Sequence, residues 1–90
     1  MYIVKPSSQF KKDLKRINRR GYDIDILTGI IEKLASGETL DVSCKDHPLR
    51  GNYTGCRECH ITPDWLLIYK FSGNNLYLLL TRTGTHADLF

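Results

Sequence analysis

Ninety residues, 41% hydrophobic and 26% charged, suit one small globular domain spanning 1–90 and exclude intrinsic disorder, collagen-like repeats and a second domain. No run of about 18 apolar residues is present, so no membrane is expected as a partner. The formal charge of +3 is unevenly spread: residues 1–20 hold seven of the thirteen Lys/Arg and one acid, a local +6 against −3 for the rest, which directs that segment towards a polyanion or an acidic protein.

Residues 2–5 are short, apolar and stopped by Pro6, and read as a first strand. Ser7 or Ser8 caps a helix whose apolar stripe is Phe10, Leu14 and Ile17, with Lys11, Lys12, Lys15, Arg16, Arg19 and Arg20 around it and Gly21 as its stop. Asp23 caps a second helix with Ile24, Leu27, Ile31 and Leu34 at helical spacing, ended by Gly37. Two such helices form a hairpin that must cover an apolar surface. After a polar loop, residues 55–61, 65–71 and 76–82 read as strands, separated by Thr62-Pro63-Asp64 and Ser72-Gly73-Asn74-Asn75. Connections this short imply antiparallel neighbours. The expected fold is α+β in the order β-α-α-β-β-β, a helical hairpin on one face of a small antiparallel sheet, with a polar tail ending in Leu89-Phe90.

Three cysteines, an odd count, and an N-terminus without the form of a secretory signal point to reduced thiols and a cytoplasmic protein. Cys56-Arg57-Glu58-Cys59-His60 matches the C-x-x-C-H pattern of haem attachment, yet it falls in an expected strand, where residues three apart point to opposite faces. Zinc at Cys44, Cys56, Cys59 and His60 lacks two close ligand pairs, and a redox pair would want a helix N-terminus. The thiols therefore read as small hydrophobes, with no metal and no cofactor expected.

The histidines carry the chemistry. Glu58 and His60 share a strand face, Asp64 follows in the turn, and Arg82 returns on the antiparallel third strand to the same edge, just before His86; His47 lies in a loop long enough to reach it. One rim thus gathers imidazoles, carboxylates and a guanidinium, a set suited to acid–base chemistry on a phosphodiester. RNA is cut when a base takes the 2′-OH proton, an acid protonates the departing 5′-oxygen and a cation offsets charge on the phosphorus oxygens. Histidine serves as base or acid near neutral pH, and arginine clamps phosphate.

Three segments together, Asp46-His47-Pro48-Leu49-Arg50-Gly51, Arg57 to Asp64 with the pattern R-x-x-H-x-x-P-D, and Gly84-Thr85-His86-Ala87-Asp88-Leu89-Phe90, closely resemble the YafQ branch of the RelE/ParE toxin superfamily. The resemblance is strongest over residues 44–90, and the helical hairpin fits in length and character. It implies the toxin half of a type II toxin–antitoxin pair, a ribosome-dependent endoribonuclease cutting message in the A site without a metal. His47, His60, Asp64 and His86 match the catalytic set of that branch, Phe90 lies beside substrate, Glu58 stands where the family shows an acid, and Arg82 matches a basic position that touches phosphate. On this reading His86 is the general acid, Asp64 and His60 serve or orient the base, and His47 holds the scissile phosphate. Lys12, Lys15 and Arg16 would grip ribosomal RNA or an acidic antitoxin segment. The implied partners are a cognate antitoxin, the ribosome with its mRNA, and operator DNA only through the antitoxin. A ParE-like gyrase poison has no need of an acid–base rim, and a non-catalytic RNA- or protein-binding module would use the rim only for grip.

Overall fold

The computed structural model describes residues 1–74 and 76–90, so Asn75 of the expected last turn lies outside the described residues. Strand β1 (Ile3–Pro6) leads into helices α1 (Ser8–Arg19) and α2 (Ile24–Ala35). A 3-10 turn at Val42–Cys44, the two-residue strand β2 (His47–Pro48) and a second 3-10 turn at Gly51–Tyr53 follow. The chain finishes with β3 (Arg57–Thr62), β4 (Trp65–Ser72), β5 (Tyr77–Gly84) and a short helix, α3 (His86–Leu89).

The helix ends follow from local chemistry. Ser7 Oγ accepts from the Phe10 amide at 2.9 Å and donates to the Thr81 carbonyl at 2.9 Å, so the cap of α1 also fastens it to β5. Asp23 Oδ1 accepts from the Asp25 amide at 3.0 Å and starts α2. Past α1, Gly21 (φ +82°) sends its amide to Asn18 O while Tyr22 bonds Ile17 O, a paired closure that needs a left-handed residue and so favours glycine.

The sheet departs from the expected one. Its order is β1-β5-β4-β3-β2, and β1 runs parallel to β5, so the sheet is mixed rather than wholly antiparallel. Short turns force β3, β4 and β5 into alternating directions, but β1 is joined to β5 only through everything between them, and no tight turn constrains its sense. The fifth strand, β2, pairs only His47 with Glu58 and Pro48 with Arg57.

Both helices pack on one face of this sheet, where Phe10, Ile17, Leu27 and Leu34 meet Cys59, Trp65, Leu67, Tyr69, Leu78 and Leu80. On the other face a smaller cluster joins Leu66, Ile68 and Leu89, flanked by Leu49, Tyr53 and Cys56. β4 is therefore covered on both sides, which explains its unbroken apolar run from Trp65 to Tyr69. Each fully buried Leu or Ile there contributes roughly 1.5–3 kcal/mol. Cys56 and Cys59 belong to opposite faces, and burial pushes the Cys59 thiol up to about 12, unsuited to a nucleophile or redox thiol.

Candidate active site

Residues paired across neighbouring strands share a face. The register aligns His47, Glu58, Ile68 and Arg82 in one row across the face away from the helices, and His60, Leu66 and Gly84 in the next. Two bulges flank these rows. One falls between His60 and Thr62 and the other between Ile68 and Tyr69, where they re-aim the chain beside the rim. α3 then folds Leu89 onto this face and leaves His86 at its edge.

Each imidazole is held by its Nδ1. His47 Nδ1 lies 2.6 Å from the Lys45 carbonyl and His60 Nδ1 3.3 Å from the Pro63 carbonyl, while His86 Nδ1 lies 2.9 Å from Asp64 Oδ1. Since carbonyls and carboxylates only accept, Nδ1 carries the proton in all three rings and Nε2 is left to exchange protons. The bond to His86 holds the Asp64 carboxyl below its ordinary range.

Glu58 is only 4% exposed and sits between two of these rings, with Oε1 3.5 Å from His60 Nε2 and 3.9 Å from His47 Nε2. The ring centroids of His47 and His60 are 6.4 Å apart, those of His60 and His86 5.8 Å, and those of His86 and Phe90 6.5 Å. The five residues therefore line one continuous arc with Asp64 at its margin. Asp64 pairs with His86, the expected acid, and not with His60. Glu58, His60 and His86 each bring one ligand atom to within 4.8 Å of the others, a donor set that fits a divalent or transition-metal ion.

Arg82 closes the arc, but its side-on fork is engaged. Nε and Nη2 donate to Asp13 at 2.7 and 3.1 Å, raising the pKa of Arg82, and Nη1 reaches Tyr53 Oη at 3.4 Å. Tyr53 in turn packs edge-on against the 64%-exposed Phe90, with centroids 5.6 Å apart. Of the basic helix residues, Arg16 leans in to within 3.9 Å of Asp88 on α3, whereas Lys12 and Lys15 are exposed on α1. Asp13, Tyr53 and the Arg20–Asp88 pair (2.7 Å) escape a reading of the sequence, although Asp13 is the sole acid among the first twenty residues.

Comparison with known proteins agrees with this architecture. Residues 2–90 match the family model described as the bacterial toxin of type II toxin–antitoxin system, YafQ. The chain is 40% identical over 88 residues to the mRNA interferase toxin YafQ of Escherichia coli K12, covering 97% of this chain and 94% of that one. The E. coli YafQ in crystals of the DinJ–YafQ toxin–antitoxin complex superposes with a TM-score of 0.89 at 39% identity, over 99% of this chain and 97% of that one. A metal-bound toxin from Helicobacter pylori gives 0.92 at 39% identity over the whole of both chains. With residues 2–90 matched by the family model and a 40%-identical relative covered over 94% of its length, this chain belongs to the YafQ family of toxins of type II toxin–antitoxin systems.

Proposed function

We propose that the arc cleaves messenger RNA in the ribosomal A site by acid–base catalysis that requires no metal. The observation carrying this reading is the convergence of His47, His60 and His86, each with Nδ1 tied down, around the buried carboxylate of Glu58. As an mRNA interferase, the chain must break a P–O5′ bond. His60 Nε2 takes the 2′-OH proton, and O2′ attacks phosphorus. His86 enters as an imidazolium, its charge balanced by Asp64, and delivers its Nε2 proton to the departing O5′. The products are a 2′,3′-cyclic phosphate and a 5′-hydroxyl, and the two histidines end in exchanged protonation states. Glu58 shares the charge that His60 acquires. His47 and Arg82 hold the phosphate, and Phe90 supplies an exposed ring for a base to stack on.

A cation at Glu58, His60 and His86 would supply charge to the phosphate oxygens, but it would also occupy nitrogens needed for proton transfer. The toxin works in the cytoplasm beside ribosomes, is silenced by a cognate antitoxin and meets operator DNA only through that antitoxin. The test is primer extension on a message under translation. Wild-type protein is expected to leave codon-phased cuts that survive a transition-metal chelator, and His60→Ala or His86→Ala, folded by circular dichroism, should leave none and relieve growth arrest. A folded His86→Ala protein cutting at the normal rate would overturn the assignment. Growth arrest that persists without cuts would favour a gyrase poison.

A further inference from the structure

Asp13 is a fully buried acid on an otherwise basic helix, and its carboxylate accepts from four groups. These are Arg82 Nε at 2.7 Å, Arg82 Nη2 at 3.1 Å, the Thr83 amide at 3.2 Å and Gln9 Nε2 at 3.1 Å. Burying a charge is costly, and an apolar residue of similar volume often serves a fold as well or better. What this carboxylate does that an apolar side chain does not is hold a guanidinium in one plane. A guanidinium carries five N–H bonds in a fixed fork. Asp13 takes two of Arg82's and Tyr53 Oη a third at a long 3.4 Å, so the fork's far end is the part left for an anion.

From that end a relay of contacts leads through Tyr53 and Phe90 towards the proposed acid. Tyr53 donates to the Leu89 carbonyl at 3.4 Å and packs on Phe90, whose ring neighbours His86. We infer that Asp13 is a positioning residue for cleavage: through a two-point bond it sets the plane and reach of Arg82, so that the far edge of the guanidinium meets the phosphate oxygens as charge builds on them. The inference rests on the reading of Arg82 as a phosphate contact. It gives α1 a part in the reaction separate from any grip of its lysines on RNA.

A structural brace between α1 and β5 would show the same hydrogen bonds, so the test must separate the two roles. Single-turnover cleavage on translating ribosomes is measured for Asp13→Asn, Arg82→Ala and the double variant, with antitoxin binding and thermal melting as fold controls. Misplacing a catalytic contact by about 1 Å costs up to roughly a hundredfold. Asp13→Asn is therefore expected to slow the cleavage step ten- to a hundredfold with little change in the half-saturating ribosome concentration. The double variant should be no slower than Arg82→Ala alone, because both changes remove one contact.

If Asp13→Asn fails to fold, Asp13→Glu keeps the charge and displaces it by one methylene, and the same loss of rate is expected. Folded Asp13→Asn at full rate beside a slow Arg82→Ala overturns the positioning role and leaves the acid–base reading standing. Losses that multiply in the double variant do the same. Arg82→Ala at full rate overturns both the positioning and the phosphate contact, while His86→Ala in the same assay still reports whether the acid–base reading holds.

Discussion

Glu58 faces water-poor surroundings between two imidazoles 3.5 and 3.9 Å away, an arrangement a fold does not need for its own sake. Taking a carboxylate out of water carries a desolvation cost that its neighbours must offset, and functional sites commonly carry this kind of local cost. Glu58→Gln keeps the volume and removes the charge. It is expected to leave the melting temperature unchanged or higher while slowing cleavage more than about tenfold, since in the proposed mechanism part of the ~10²–10⁴ available from general acid–base catalysis depends on stabilising the His60 cation. Melting curves and ribosomal cleavage on the same preparation check both halves. The rim itself is legible from the sequence, because strand period and turn positions alone bring Glu58, His60, Asp64 and Arg82 to one margin. Which carboxylate serves which ring is not. Asp64 reaches His86 across 22 positions of chain, and only folded geometry selects that partner over the nearer His60.

At the scale of elements, the four-residue α3 carries His86 at its first position and is too short to stand on intrinsic helicity. Asp88 stabilises it twice. Its carboxylate accepts from the Thr85 amide at 3.0 Å in a reciprocal capping box, and it receives Arg20 from the end of α1 at 2.7 and 3.1 Å. Arg20 above all, then the Thr85 amide, holds the Asp88 carboxyl far below its ordinary range. A carboxyl depressed by folding contributes stability at every pH above its unfolded value, near 3.9, and that contribution fades as pH falls through the folded value. The melting-temperature gap between wild type and Asp88→Asn is therefore expected to be constant from pH 7 to about 5 and to narrow steadily below about 4. A gap independent of pH down to pH 2 would assign Asp88 no charge-linked role. Caps and apolar spacing made α1 and α2 legible, with Ser7 and Asp23 as their N-caps. α3 was hidden because its stabilising partners lie on α1, outside any local window. The parallel sense of β1 was hidden for a related reason, as no turn chemistry bears on it.

Over the whole molecule, four of the seven cations in residues 1–20 fall into two groups. Arg16 and Arg20, partly exposed, reach across to Asp88 and so brace the helix that carries His86. Lys12 and Lys15 remain exposed on α1, free to meet phosphate. Reversing charge at Arg16 would therefore mix three effects, a loosened α3, a disturbed Asp13 and a weaker grip, whereas Lys12→Glu with Lys15→Glu isolates the last. Each phosphate contact on a nucleic acid steepens the fall of log K with log salt by roughly 0.7–0.9. If both lysines touch ribosomal RNA, the double variant should bind ribosomes more weakly at low salt, with a slope flatter by about 1.4–1.8. Antitoxin binding followed across the same salt series separates the partners. A slope that flattens for the ribosome alone assigns the lysines to RNA, one that flattens for the antitoxin alone assigns them to an acidic peptide, and two unchanged slopes would reduce them to a solubilising face. These arginines predict the contrast: Arg16→Glu should lower the cleavage rate even on saturating ribosomes, because it places a like charge beside both Asp88 and Asp13, each 3.9 Å from Arg16, disturbing the helix that carries His86 and the carboxylate that holds Arg82.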